Sequence, residues 1–206
     1  MKQYKKKKRK KPLSISLILL SILVIFMSFV FVLSALTTQV EEQQQVSQLT
    51  PEMQQNQFIE RLAPYAKQLH QKYGVLPSIT LGQAILESDW GKSELASKYN
   101  NLFGIKAYGN QPKITLSTKE YVNEQWITIQ GDFRVYQSFE ESMDDHAQLF
   151  IHGVDWDPNK YQPVLQAQNF EQAADALQQA GYATDPTYAE KIKQVIIAHQ
   201  LQKYDE

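Results

Sequence analysis

The chain has 206 residues, 21 of them basic and 22 acidic, with a formal net charge of −1, four histidines and no cysteine. That length can build one sizeable core plus extensions, and the absence of cysteine excludes disulfides, thiolate nucleophiles and cysteine-based zinc sites. Eight basic and no acidic residues lie in 1–36, so 37–206 carries 13 basic and 22 acidic residues, a net of −9, which excludes the basic footprint expected of a nucleic-acid-binding domain.

The chain opens with a basic block, Lys5 to Lys11, preceded by Lys2, and residues 13–36 that follow are 24 uncharged residues rich in Leu, Ile, Val and Phe. A helix of that length, at ~1.5 Å per residue, crosses the ~30 Å hydrocarbon core of a bilayer. The basic flank places 1–12 in the cytoplasm and 37–206 outside. A cleaved signal peptide is the alternative, but its apolar region would be shorter, and Leu33-Ser-Ala-Leu-Thr-Thr38 makes a poor cleavage site. The expectation is an uncleaved single-pass anchor in the lipid bilayer. The five serines of the span are too few to argue for a membrane-protein partner.

Residues 37–56 are Gln-rich and poor in large apolar groups, which predicts a stalk, partly helical near its end. Residues 57–206 form the expected folded domain. Phe58, Ile59, Leu62, Tyr65, Ala66 and Leu69 recur at helical spacing up to Lys72, and Tyr73-Gly74 stops that helix. Pro77-Ser78 opens a second helix. Asn100, Asn101, Gly104 and Gly109 mark a loop. Residues 114–136 alternate as a β-hairpin around Asn123-Glu124-Gln125, with a third short strand expected near Phe133 to Tyr136. Helices are then predicted over Ser138 to His152, Asn169 to Ala180 with Asn169 as N-cap, and Pro186 to Leu201. Helices, a small sheet and helices again make a segregated α+β protein.

Glu87 stands out within Gln83-Ala-Ile-Leu-Glu-Ser-Asp-Trp-Gly-Lys-Ser93. Apolar neighbours raise a carboxyl pKa, and a carboxylic acid still protonated near neutral pH can protonate a glycosidic leaving oxygen. A glutamate near a helix end is more commonly a solvated surface residue, so this run alone does not decide. The histidines offer no His-x-x-x-His pair and no His-Glu-x-x-His run. His146 and His152, near Asp144 and Asp145, read as helix-surface or core residues rather than metal ligands.

Three stretches in order, QAILESDWGKSELASKYNNLFGIK, TKEYVNEQWITIQGDFRVYQSFEESMDDH and GYATDPTYAEKI, resemble the glucosaminidase domains of glycoside hydrolase family 73 over about residues 57–203. The resemblance implies a lysozyme-like α+β fold, a helical lobe and a small β-lobe around a cleft, acting on peptidoglycan. It also implies roles. Glu87 matches the general acid, with Trp90 and Gly91 in the tight turn beside it. Asn100, Asn101, Phe103 and Gly104 match a loop lining the cleft. Glu120 matches a second carboxylate, for which Glu124 and Asp132 compete. Tyr182 matches a tyrosine close to the acid, with a packing role as its rival. Tyr188 joins the substrate-binding candidates, although it and Tyr136 also read as structural. Trp90, Phe103 and Trp126 could stack on sugars or simply fill the core, and Asp89 reads as a loop residue.

The implied reaction is hydrolysis of the bond after N-acetylglucosamine in peptidoglycan glycan strands. Glu120 would hold a water, with carboxyls ~6.5–9.5 Å apart, or attack directly at ~5–5.5 Å; otherwise the substrate acetamido oxygen attacks. None of these routes requires a metal or an organic cofactor. The rival readings are a muramidase or lytic transglycosylase, and a non-catalytic wall-binding scaffold of the same fold.

Overall fold

A computed structural model describes residues 27–34, 50–122 and 125–206, with the backbone alone at 119–122 and at 126. The chain divides into two units, Met1–Gln54 and Gln55–Glu206. In the first, residues 27–34 are helical and exposed. Among the described residues no helix is long and apolar enough to cross a membrane. Most of the expected anchor at 13–36 and of the stalk lies outside the described residues.

The second unit is mainly helical. Helix α1 (Pro51–Tyr73) buries Phe58, Ile59, Leu62, Ala63, Ala66 and Leu69, the stripe that its apolar spacing predicts. Helix α2 (Pro77–Ser88) is buried along nearly its whole length and packs against α7 (Tyr188–Ala198), the 3-10 helix Leu201–Tyr204 and α6 (Phe170–Gln179). Its own N-cap position, Leu76, has no side chain able to accept a hydrogen bond. Asp205 supplies that acceptor from far along the chain, taking hydrogen bonds from Ser78 N at 2.8 Å and Ser78 Oγ at 2.6 Å. A carboxylate at a helix N-terminus satisfies free N–H groups and the helix dipole, an arrangement worth ~1 kcal/mol.

Helix α3 (Glu94–Tyr99) follows, capped by Ser93. Strands β1 (Lys113–Val122) and β2 (Gln125–Arg134) pair antiparallel, from Lys113 opposite Arg134 to Val122 opposite Gln125. The expected third strand is not there: the described sheet has two strands, β2 itself runs through Phe133, and Phe133 makes a single bridge to Lys106. Val135 N still donates to Pro112 O, and beyond it the backbone leaves the hairpin, with Tyr136 N donating to Tyr99 O. The tip at 123–124 lies outside the described residues.

Helix α4 (Phe139–His152) is capped by Ser138, whose side chain accepts from Glu141 N. Helix α5 (Gln162–Leu165) is short, and α6 is capped by Asn169 as its sequence predicts. The last helix begins later and ends sooner than expected. Pro186 occupies a turn in which Tyr188 N donates to Asp185 O at 3.2 Å, and α7 starts only at Tyr188. The stretch 201–204 tightens to a 3-10 turn after Gln200 adopts a left-handed φ of 52°. Leu62, Leu69, Ile79, Met143, Phe150, Leu177 and Ile192 are fully buried. Truncating any one of the leucines to alanine is expected to cost ~2–5 kcal/mol.

Candidate active site

Glu87 owes its position to an abrupt stop in α2. Asp89, Trp90 and Gly91 have φ of 50°, 61° and 73°, three consecutive left-handed residues. Trp90 is the costly member, since a bulky side chain rarely adopts that region. Ser88 supports the turn: its buried hydroxyl donates to Ala84 O and accepts from Gly91 N at 2.7 Å. The backbone adds Trp90 N to Ile85 O and Ser93 N to Ser88 O. A Cβ at Gly91 would stand 2.8 Å from Phe58 Cε2, so this turn closes on the core only with glycine. Trp90 then packs edge-on to Phe58 and His199, with centroids 6.1 and 4.7 Å away.

Glu87 thereby enters a cleft of about 1040 Å³, walled by the loop after α3, by β1 and β2, by the end of α4 and by the segment before α7. The residue keeps access to water while protein surrounds most of its carboxyl group. Desolvation pushes its pKa above the ordinary glutamate range, and a hydrogen bond from Tyr188 opposes that shift. Tyr188 Oη donates to Glu87 Oε1 at 2.7 Å and accepts from the buried Gln83 Nε2 at 3.0 Å. Gln83 lies one helical turn before Glu87, so α2 presents both ends of this chain of hydrogen bonds.

Phe103 and Gly104 line the cleft, as do Ile105 and Lys106. Asn100 and Asn101 are not among the lining residues. Asn100 ends α3 with a left-handed φ of 55° and donates to Tyr136 O. Asn101 is buried; its amide donates to Ile105 O and Arg134 O, and its oxygen accepts from Phe103 N and Ile105 N. Both asparagines therefore shape the loop that carries Phe103 and Gly104 into the cleft. Trp90 is likewise placed with the core rather than on the cleft wall. Glu120 lies on β1 opposite Ile127; its side chain, the Trp126 side chain and Glu124 are outside what is described. Asp132 is ion-paired to Lys113 and accepts from Thr115, with Lys113 holding its pKa down, which suits an ionised group and not a proton donor.

Tyr182 lines the cleft with Glu87, but the hydroxyl that touches Glu87 belongs to Tyr188. The Tyr182 and Tyr188 rings stack at 5.6 Å, and the Tyr182 hydroxyl meets His146 Nε2 at 3.1 Å. His146 is wholly buried, with Phe103 stacked on its ring at 3.8 Å, and desolvation lowers its pKa to about 3. A neutral imidazole here is a core residue, one of the two readings its sequence allowed. With the proton on Nε2 the imidazole donates to the Tyr182 hydroxyl oxygen, and the buried Nδ1 has no protein partner. Asp185 pairs with Lys191 and accepts from Thr187, and these contacts hold it near pKa 2, an ionised residue that fixes the turn before α7.

The cleft also takes residues that the sequence did not single out: Glu94, Tyr108, Thr115, Ser117, Gln130, Tyr161 and Thr184. Tyr108 is 74% exposed, an aromatic face at the rim. Its neighbours Ala107 and Gly109 offer no periodic pattern that would have marked it.

Residues 63–201 match the family described as mannosyl-glycoprotein endo-beta-N-acetylglucosaminidase, the glucosaminidase family. The chain is 47% identical over 203 residues to the exo-glucosaminidase LytG of Bacillus subtilis, covering 98% of this chain and 70% of that one. It is 36% identical over 151 residues to a probable N-acetylmuramidase of Lactococcus lactis, covering 72% of this chain but only 34% of that one. The fold resembles the catalytic domain of the autolysin Auto from Listeria monocytogenes, with a TM-score of 0.68 and 35% identity over 82% of this chain and 97% of that one. It also resembles the glycoside hydrolase domain of Salmonella typhimurium FlgJ, with a TM-score of 0.56 and 33% identity over 72% of this chain and 90% of that one.

Proposed function

The chain belongs to the glucosaminidase family, glycoside hydrolase family 73, and from that premise we propose that it is a peptidoglycan hydrolase cutting the glycan strand after N-acetylglucosamine, with Glu87 as general acid. The observation that carries this reading is the Glu87 carboxyl in the cleft, its pKa raised by desolvation, with Tyr188 hydrogen-bonded to it. Protonated Glu87 gives its proton to the glycosidic oxygen as the bond to the sugar breaks. The carboxylate left behind accepts the Tyr188 hydroxyl, itself held by Gln83, so charge appears where a donor already points. The positive charge developing on the sugar is met by Glu120, reached from β1, or by the substrate's own acetamido oxygen. Tyr182 borders the same space and would orient that group through its hydroxyl. Phe103, Gly104 and Tyr108 contact the strand, and Asn100 and Asn101 act through the loop they hold.

The family description points to cleavage within strands, whereas the Bacillus relative is described as an exo-enzyme. Cleavage within strands is the reading adopted. The Lactococcus relatives, described as probable muramidases, carry the second reading, cleavage of the neighbouring bond. Digestion of purified peptidoglycan by the full chain, borohydride reduction and mass spectrometry of the new ends separates them. N-acetylglucosamine ends on multi-sugar fragments support the proposal. N-acetylmuramic or anhydromuramic ends overturn the bond assignment, and release of single sugars alone overturns the internal cut.

We also propose that 13–36 anchors the protein in the membrane with 1–12 cytoplasmic and the catalytic domain facing the wall. The uncharged run and the eight basic residues that precede it support this. Protease added to intact cells should remove 57–206 and spare a tag fused before Met1; loss of the tag would sink the orientation.

A further inference from the structure

We propose that Trp156 is the stacking platform of a sugar subsite beyond the cleft described above, extending the grip on the glycan strand; this rests on the glycan-hydrolase reading. Trp156 is 81% exposed, a large indole left in water by a domain that buries most of its aromatic rings. A single exposed apolar residue is ordinary on a protein surface, so the inference rests on where and how this one is held.

Its loop is built to hold it still. Val154 and Asp157 exchange both backbone hydrogen bonds, at 3.1 and 2.9 Å, with Trp156 on the turn between them. Lys160 N donates to Asp157 O, Gln162 N to Asn159 O, and Asn159 N to Asp157 Oδ1. The entry to the turn is Gly153, with φ of 64°, where a Cβ would stand 2.4 Å from Asp157 O and 2.6 Å from Pro158 C. No other residue fits there. A pre-formed loop loses little freedom when its aromatic side chain meets a ligand.

The loop is also continuous with the cleft. Val154 and Tyr161, on either side of it, both line the cleft. Lys160 Nζ lies 5.8 Å from the Trp156 ring centre and 5.8 Å from that of Tyr161. The two rings are therefore no further apart than twice that distance, one on the wall and one outside.

Charge decides the ligand class. Two carboxylates, Asp155 and Asp157, flank Trp156, with Lys160 beside them. An anionic stem peptide would be repelled by the pair of carboxylates. A neutral pyranose ring fits: its C–H face lies on the indole, and a hydroxyl accepts from Lys160, whose Nζ lies 5.8 Å from the indole ring centre.

The test uses the full chain carrying Glu87→Gln, so that glycan binds without turnover, with and without Trp156→Ala and with Trp156→Phe. Binding of a glycan disaccharide, a glycan octasaccharide and free stem peptide is followed by calorimetry, and matched thermal melts confirm folding. Trp156→Ala should weaken octasaccharide binding about tenfold, the scale of one lost aromatic stack, and Trp156→Phe should restore most of it. In the active enzyme the preference in kcat/KM for long over short strands should shrink with Trp156→Ala. Equal octasaccharide affinity with and without Trp156 overturns the subsite, even if the enzyme cleaves glycan as proposed. Stem peptide binding that depends on Trp156 overturns the ligand class. Trp156-dependent glycan binding by a chain that cleaves nothing upholds the subsite and sinks the hydrolase reading.

Discussion

Tyr188 Oη donates a 2.7 Å hydrogen bond to Glu87 Oε1, and the same oxygen accepts from Gln83 Nε2 at 3.0 Å. Two opposing effects meet at this carboxyl group. Desolvation, the larger, favours the neutral acid, and the hydrogen bond favours the carboxylate. The balance suits a group that must hold a proton before bond cleavage and release it during cleavage.

Tyr188→Phe should therefore raise the Glu87 pKa further, since it removes only the hydrogen bond that favours the anion. The alkaline limb of kcat/KM, where the acid loses its proton, should move to higher pH. The plateau should fall about tenfold, the equivalent of ~1.4 kcal/mol, because the carboxylate formed at Glu87 loses its donor. A pH–rate profile checks both. An unmoved alkaline limb would mean that the contact does not tune the acid.

His146 makes stability depend on pH. Its folded pKa of about 3 lies below the ordinary 6.5, so between those values the unfolded chain binds a proton that the folded chain refuses. Its contribution is present above pH 6.5 and is lost as pH falls towards 3, at up to about 1.4 kcal/mol per pH unit. Urea midpoints for the parent and for His146→Phe, measured from pH 7 to pH 4, should show a shallower decline in the variant. Parallel declines would remove His146 as the cause.

The turn that presents Glu87 tolerates only glycine at position 91. Gly91→Ala adds a Cβ 2.8 Å from the Phe58 ring at a φ of 73°, which should cost about 2–4 kcal/mol through strain and overpacking. Differential scanning calorimetry should show a lowered Tm, and adding Phe58→Leu should return part of the loss. An unchanged Tm would mean that the turn has another way to close.

Much of this was legible in the sequence because it was local. The α1 stripe, the caps Ser138 and Asn169 and the end of α2 near Glu87 all follow from spacing and residue type within a few positions. What escaped was set by distant partners. Asn101 reads as a loop residue facing substrate, yet it is buried because it satisfies carbonyls at Ile105 and Arg134 that meet only after folding. Tyr182 and Tyr188 sit six positions apart in one motif, and only the start of α7 at Tyr188 decides which hydroxyl reaches Glu87. The third strand failed for the same reason: Tyr136 is drawn to Tyr99 and Asp145.

The central claim is that Glu87 is the proton donor of the cleft. The most direct measurement is the rate of solubilisation of purified peptidoglycan by the full chain and by Glu87→Gln, each shown by circular dichroism to be folded. The amide keeps the size of the side chain and an oxygen for Tyr188 but has no acidic proton to give. A loss of about a hundredfold to ten-thousandfold is predicted, the usual worth of a general acid. A Glu87→Gln enzyme within a few-fold of the parent would contradict the account and move the chemistry to another group.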